Sequence, residues 1–183
     1  MIGYRGCGKT AVGRLLADKL GWAFVDTDTL VELRSGKTIR DIYADQGEDG
    51  FRKMETQVIA DVARLDWHII STGGGALQRP DNAQVLKAAG KVVWLVATPE
   101  VLWERIAADT SRRFSRPQQG QGIGLQGIRA ALREFEPVYA GWADLVLDTT
   151  GQSQNEVAEE IIAKLNLQKR NQKVASSIPC PHV

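Results

Sequence analysis

Residues 1–10 read MIGYRGCGKT, and the stretch from Gly3 to Thr10 follows the pattern G-x-x-x-x-G-K-T. Gly3, Gly6 and Gly8 permit a backbone that turns successive N–H groups inward around an anion. An apolar period typical of a helix begins directly after Lys9, and the positive end of that helix adds to the anion site. The stretch therefore predicts a phosphate-binding loop that joins a strand to a helix.

The side chains of this loop predict nucleotide binding. Lys9 can reach the β and γ phosphates of ATP, and the hydroxyl of Thr10 can coordinate Mg²⁺. The loop does not select one chemistry, because translocases, GTPases and small-molecule kinases all use it. A chain of 183 residues leaves little room for the extra parts of motor or switch NTPases, so a small-molecule kinase is favoured.

The composition describes one globular domain. Apolar residues make up 43% of the chain and charged residues 25%, and the formal charge of +1 gives no reason to expect a nucleic-acid or membrane surface. The two cysteines, Cys7 and Cys180, do not form a disulfide framework. No apolar run is long enough to span a bilayer. We expect a cytoplasmic protein.

Four apolar runs alternate with helical patterns and predict strands at 22–26, 67–72, 91–97 and 144–149. Continuously apolar strands separated by helices are typical of a parallel sheet covered on both faces. Together with the short run before Gly3, they predict an α/β fold with a doubly wound five-stranded parallel sheet of the P-loop kinase type.

Two segments interrupt the alternation. Residues 27–65 form a long, mostly helical insertion that is large enough to bind a substrate. Residues 109–125 combine glycines, prolines and arginines without an apolar period, which predicts a mobile lid. We expect one kinase domain over residues 1–167 and a polar, disordered tail over residues 168–183.

Asp26 and Asp28 follow the second strand in FVDTD, at the sheet edge where open α/β folds place their ligands. If the segment is extended, both side chains point to the same side. One can then help hold the water shell of Mg²⁺ while the other orients or deprotonates a substrate hydroxyl. The alternative is that Asp28 caps the next helix.

Three further patterns predict substrate contacts. Arg52 offers a planar fork for a carboxylate, although an ion pair with Glu55 at the surface would explain it as well. Three adjacent glycines, residues 73–75, suit a place where a ligand approaches the backbone. Arg112, Arg113 and Arg116 in the lid can reach over the nucleotide and neutralise a transferring phosphoryl group when the lid closes, or they can be solvated loop charges.

The chain resembles the shikimate kinases. The matching motifs are, in order, GYRGCGKT, FVDTD, GEDGFRKME, TGGGA, the RP of the lid and PVYAGWADLVLDT, and they extend from Gly3 to about Leu167. The resemblance implies the fold of nucleoside monophosphate kinases and ATP-dependent, Mg²⁺-dependent phosphorylation of the shikimate 3-hydroxyl. It also implies a monomer.

By this resemblance Lys9, Asp28 and Arg116 are the expected catalytic residues, and Arg52 is expected to pair with the shikimate carboxylate. Thr10 would bind Mg²⁺, with Asp26 acting through water. The remaining expected ligands are, for ATP, Gly3, Gly6, Cys7, Gly8, Ala11 and Arg112, and for shikimate, Gly73, Gly74 and Gly75.

One departure from the family concerns the second carboxylate arginine, which the family usually has two residues before the proline of its P-L-Y motif. Here Phe135 occupies that position. Arg133 would face nearly the opposite way on a helix, so we expect either a weaker KM for shikimate or an arginine recruited from elsewhere, such as Arg129. The departure leaves open a kinase of another small polyol or hydroxy acid. A nucleotide-binding kinase-like protein without catalysis is the remaining alternative.

Only Met1 and Ile2 precede the loop, where a buried strand is usual. We therefore expect the natural chain to start upstream.

Overall fold

The computed structural model describes residues 1–109 and 124–170, and strands alternate with helices along both segments. The strands are β1 (Ala23–Asp26), β2 (His68–Ser71), β3 (Val93–Val96) and β4 (Leu145–Asp148). The helices are α1 (Lys9–Leu20), α2 (Thr27–Ser35), α3 (Ile39–Val62), α4 (Pro80–Ala89), α5 (Pro99–Ala108), α6 (Leu125–Trp142) and α7 (Gln154–Leu165). Each of the four apolar runs that predict strands contains one strand, which begins one or two residues later than the run and ends at most one residue earlier.

The strands pair in parallel. β1 pairs with β2 in a register that joins Ala23 to His68 and Asp26 to Ser71. β3 pairs with β4, and Val96 lies opposite Asp148 at the last position. Parallel pairing with helical connections confirms the α/β class. It also brings the carboxyl ends of paired strands to one edge, where the functional side chains are expected.

The first two residues of the chain lie between the two strand pairs. The Met1 amino group donates to the Ile70 carbonyl of β2, and the Ile2 N–H donates to the Val93 carbonyl of β3 over 2.8 Å. Ile2 is 1% exposed and bridges Trp94 in parallel. Within the described residues the structure thus contains four strands and an isolated bridge, where the sequence predicts five strands.

The insertion predicted at 27–65 is helical and has its own core. α2 and α3 bury a group of apolar side chains against each other: Val31, Ile39, Ile42, Phe51, Val58 and Val62. Gly47 breaks the helical backbone inside α3, with φ at 67°. The second part of α3 is thereby redirected and carries Arg52 towards the sheet edge.

The main core lies under the sheet, where α1 and α7 pack on the strands through Val12, Leu16, Val157 and Ile161. Within residues 1–109 and 124–170, no helix has both the length and the apolar character needed to cross a membrane.

Candidate active site

The phosphate loop has the backbone that its glycines predict. Gly3, Gly6 and Gly8 have φ values of 134°, 82° and 97°, all in the left-handed range that side chains rarely adopt. A Cβ at Gly3 would lie 2.4 Å from the Leu95 carbonyl oxygen, so no other residue fits there. Helix α1 begins at Lys9, directly after the last of the three glycines. Its free N–H groups are therefore directed at the loop.

Lys9 is held inside this loop. Its Nζ donates to the carbonyls of Gly3 at 2.8 Å and Tyr4 at 2.9 Å, and the residue is 8% exposed. Cys7 is buried beside it, with Sγ 3.7 Å from the ammonium. The Lys9 ammonium is therefore held in place and is little exposed to water. Because water screens it weakly, it raises the affinity of the loop for an anion.

Asp26 connects the loop to the insertion. One of its oxygens accepts a hydrogen bond from the Thr10 hydroxyl at 2.9 Å, and the other accepts from the N–H groups of Asp28 and Thr29. Asp26 is thus the residue that caps α2. The expectation that Asp28 lies in an extended segment, or that it provides the cap, is wrong, because Asp28 belongs to the first turn of α2.

Asp28 nevertheless reaches the same cavity as Asp26. The turn of the helix, and not the alternation of a strand, directs it there. The Asp28 side chain is half-buried in the first turn of α2.

Arg52 is buried in an ion-pair network and is not at the surface. Its guanidinium donates to Glu55 at 2.7 Å and to Glu48 at 3.2 Å, and Arg52 and Glu55 are 9% and 0% exposed. Burial works to lower the pKa of Arg52, but the nearby acids more than offset it and raise the pKa above its usual value. The guanidinium is therefore permanently charged and fixed in orientation.

The glycine turn after β2 lies against this arginine. A Cβ at Gly75 would come within 2.6 Å of the Arg52 guanidinium, whereas one at Gly74 would meet nothing closer than 3.7 Å. The Gly73 N–H donates to the Thr27 hydroxyl, and the Gly74 carbonyl accepts a hydrogen bond from the Tyr139 hydroxyl. The absence of a side chain at Gly75 thus allows the guanidinium to lie directly on the backbone.

One cavity of about 990 Å³ unites these parts. Of the residues predicted from sequence, it is lined by Gly6, Gly8, Lys9, Thr10, Ala11, Asp26, Asp28, Arg52, Gly74 and Gly75. Phe135 also lines it, but Arg133 and Arg129 do not. A smaller cavity of about 660 Å³ adjoins the loop at Cys7 and Gly8, and residues 152–155 close its other side.

The two lid arginines, Arg112 and Arg116, lie outside the described residues, as does most of the predicted lid. The predicted tail beyond Arg170 is outside them as well.

Neither arginine considered as a replacement at Phe135 takes that place. α6 runs unbroken from Leu125 to Trp142, so Arg133 and Phe135 face different sides. Arg133 is exposed, and Arg129 forms a surface ion pair with Glu100 at 2.6 Å. The expectation that Arg129 or Arg133 supplies the second carboxylate contact is therefore wrong for this arrangement of α6.

Arg105 is a functional candidate that the sequence did not reveal. Its guanidinium donates to the Thr149 carbonyl at 2.8 Å, to the Thr149 hydroxyl at 3.0 Å and to the Gly6 carbonyl at 3.4 Å. It thereby joins the phosphate loop to the end of β4, and it lines both cavities. Its only sequence signal is a cation one turn from the end of a helix, which is common on surfaces.

The donor atoms near Thr10 fit Mg²⁺. Among the described residues no group of three or more His, Cys, Asp or Glu side chains could hold a metal. Mg²⁺ bound to nucleotides, however, needs few protein ligands and keeps phosphate and water oxygens. Thr10 and Asp26 supply a hydroxyl and a carboxylate, and the buried Ser71 hydroxyl beside Asp26 has no hydrogen-bond partner in the described part of the chain.

Comparison with known proteins identifies the family. The shikimate kinase family model matches residues 5–166. The chain is 44% identical to the shikimate kinase of Symbiobacterium thermophilum over 165 residues, which are 90% of this chain and 94% of the relative. It is 45% identical to that of Moorella thermoacetica over 161 residues, 88% and 90% of the two chains.

A solved structure agrees with this assignment. The shikimate kinase of Acinetobacter baumannii in complex with shikimate superposes with a TM-score of 0.83 at 33% identity and covers 90% of each chain. The family match, the sequence relatives and the superposition extend over nearly the whole described chain. The chain belongs to the shikimate kinase family.

Proposed function

We propose that the protein is an ATP-dependent kinase that phosphorylates the 3-hydroxyl of shikimate, a step towards chorismate and the aromatic amino acids. The observation that carries this proposal is that the phosphate loop, Asp28 and the buried Arg52 line one cavity. Phosphoryl transfer to a hydroxy acid requires a site for phosphate, a group that orients the hydroxyl and a cation for the carboxylate. The three features supply these in one space.

The phosphate side consists of fixed positive groups. The N–H groups of the loop and of the first turn of α1 bind the phosphates of ATP, and Lys9 neutralises charge on the group being transferred. Because the loop carbonyls already hold Lys9, little reorganisation accompanies transfer.

On the acceptor side, Arg52 binds the shikimate carboxylate in two parallel hydrogen bonds and so fixes the ring. Asp28 accepts a hydrogen bond from the 3-hydroxyl and receives its proton as the oxygen attacks the γ phosphorus. Gly74 and Gly75 give the ring a surface without side chains.

Thr10 would hold Mg²⁺ directly, and Asp26 and Ser71 would hold it through water. When bound, the ion would neutralise the β and γ phosphate oxygens. The hydrogen bond between Thr10 and Asp26 supports this assignment, because it already directs the hydroxyl towards the carboxylate.

The nucleotide base is proposed to occupy the smaller cavity beside Cys7, where residues 152–155 offer polar side chains. Arg112 and Arg116 are proposed to close over the phosphates from the lid at 109–125. Their charges would compensate the transferring group, and closure would exclude water that could accept the phosphoryl group.

At the level of the fold, we propose that Met1 to Gly3 form the central fifth strand. The hydrogen bonds that Met1 makes with β2 and Ile2 with β3 support this. The insertion and the lid then belong to one kinase domain over residues 1–167. We also propose that this domain is monomeric and acts in the cytoplasm.

A second candidate function is phosphorylation of another small polyol or hydroxy acid. Phe135 favours it, because an apolar ring lines the cavity where the family usually has a carboxylate-binding arginine.

A coupled assay of ADP release tests the proposal. Shikimate should support turnover, while quinate and glycerate should support less than about a hundredth of that rate. Asp28→Asn should lower kcat by about 10²- to 10⁴-fold while ATP binding is unchanged, since it removes the base and keeps the shape. Faster turnover with quinate or glycerate than with shikimate would favour the second candidate.

A further inference from the structure

A substrate carboxylate bound to Arg52 would leave an excess of negative charge around this arginine. Arg52 already pairs with two carboxylates, Glu55 at 2.7 Å and Glu48 at 3.2 Å. The Glu55 side chain is 1% exposed, so its charge is little screened by water. An acidic substrate would add a third negative group to one guanidinium. Because like charges in a partly buried site repel each other, binding requires another cation.

Helix α6 does not supply that cation. Phe135 lines the cavity and packs against Tyr4 and Tyr139, with ring centroids 6.0 Å apart in both pairs. The described residues of α6 that line the cavity are Gly127, Ile128, Glu134 and Phe135, and none of them carries a positive charge. Tyr4 belongs to the phosphate loop, so the phenyl ring at 135 contacts the residue directly before Arg5.

Four arginines of the described residues line the cavity, and three of them are engaged. Arg52 is ion-paired, Arg105 is bonded to Thr149, and the Arg14 guanidinium lies 4.9 Å above the Phe24 ring. The fourth, Arg5, is exposed, and neither an ion pair nor a side-chain hydrogen bond joins it to any residue of 1–109 or 124–170. Its planar fork is therefore available within the described part of the site.

Arg5 also lies beside the substrate turn. Its backbone nitrogen is 3.8 Å from the position that a Cβ of Gly74 would take. The next residue, Gly75, lies against the Arg52 guanidinium. Arg5 and Arg52 thus flank the same two glycines, one from the phosphate loop and one from α3.

We propose that Arg5 is the second carboxylate-binding residue of this enzyme and that it replaces, from the phosphate loop, the arginine absent at Phe135. Arg52 and Arg5 then hold the carboxylate of an acidic substrate between them, and the contact between Tyr4 and Phe135 fixes the part of the loop that carries Arg5. This inference rests on the proposed function in that it takes the substrate to be shikimate.

Arg5→Met tests the proposal because it keeps the length of the side chain and removes its charge. Losing one charged hydrogen bond to a carboxylate raises a dissociation constant by about tenfold to a hundredfold. We expect that increase in the KM and the calorimetric Kd for shikimate, with the KM for ATP within about twofold of the wild type. Arg5→Lys should give an intermediate value, because it keeps the charge without the fork. Arg34→Ala, at a surface ion pair on α2, is the control.

Three results would overturn the proposal. The first is an unchanged Kd for shikimate in Arg5→Met. The second is an equal rise in the KM for ATP, which would make Arg5 a phosphate ligand. The third is a loss of shikimate affinity in Arg129→Ala or Arg133→Ala instead. Failure of the proposed function is distinct from all three, since the wild type would then release no ADP with shikimate. The calorimetric comparison of Arg5→Met with the wild type would then be made with the hydroxy acid that does support turnover.

Discussion

At the scale of single residues, the contact between Gly75 and Arg52 explains why two adjacent glycines differ in what they tolerate. The Gly75 backbone carries a guanidinium on its surface, while Gly74 faces more open space. The sequence shows only three equivalent glycines. Which of the three cannot accept a side chain depends on Arg52, 23 positions before Gly75 in the chain. No local sequence pattern shows this contact.

Gly75→Ala should therefore impair substrate binding. Its Cβ would come within 2.6 Å of Arg52, which is buried and paired with two acids and so has little freedom to move. We expect the KM for shikimate to rise about tenfold or more, because the carboxylate fork is displaced, while the KM for ATP is unchanged. Steady-state kinetics with each substrate varied in turn measures both effects.

Gly74→Ala is the matched control for this substitution. Its Cβ would lie at least 3.7 Å from the nearest described protein atoms and would leave Arg52 in place, so we expect a smaller rise in the KM for shikimate than in Gly75→Ala. Equal effects of the two alanines would mean that the turn as a whole, and not Arg52, determines the affinity.

At the scale of elements, Asp26 couples the end of β1, the start of α2 and the phosphate loop. It accepts hydrogen bonds from the N-terminal end of α2 and from Thr10 at the same time. The Asp26 carboxylate thus fixes the position of Thr10, the proposed Mg²⁺ ligand, relative to α2, the helix that carries Asp28.

Two substitutions at Asp26 should separate its structural from its chemical role. Asp26→Ala removes the cap and should lower the free energy of unfolding by about 1 kcal/mol. Asp26→Asn keeps an oxygen for the cap and should preserve most of that stability. Both should lower kcat by about 10- to 100-fold, as for other residues that orient metal ligands.

Urea unfolding and steady-state kinetics at varied Mg²⁺ give the two readouts. If Asp26→Asn loses as much stability as Asp26→Ala, the charge and not the cap holds α2 in place. If it retains full activity, Asp26 has no part in binding the metal.

The elements themselves were largely predictable, and the reason is periodicity. Continuous apolar runs indicate the four described strands, because a strand buried on both faces is apolar at every position. Apolar residues at spacings of three and four indicate helices, because a helix is buried on one face. Asp28 was assigned to the correct cavity for the wrong reason, since a strand pattern does not show where a helix cap begins. The position of Arg105 depends on contacts between α5, the loop and β4, which are distant in sequence.

At the scale of the whole molecule, the free amino group of Met1 lies inside the sheet. Burial, and next the positive charge of Lys9, lower the pKa of this amine from 8.0 to about 5. The unfolded chain therefore binds a proton between pH 8 and pH 5 that the folded chain does not. Stability rises with pH across this window and is lost as the pH falls through it.

For a chain that starts with a free Met1, we expect acidification from pH 8 to pH 5 to remove up to about 4 kcal/mol of unfolding free energy through this group. Urea unfolding over that pH range measures the slope. A chain extended upstream by three or four apolar residues has no amine at this place. Its unfolding free energy should therefore lack the pH dependence that the Met1 amine causes. An identical slope in the extended chain would assign the acid sensitivity to other groups.

The hydrogen bonds of Arg105 have a consequence for the energetics of nucleotide binding. Gly6 in the phosphate loop and Thr149 after β4 share one guanidinium, and the Thr149 hydroxyl also bonds to the Cys7 carbonyl. These hydrogen bonds tie together the two walls of the proposed nucleotide site. Such preorganisation reduces the conformational entropy that ATP must remove on binding, so a larger share of its contact energy appears as affinity.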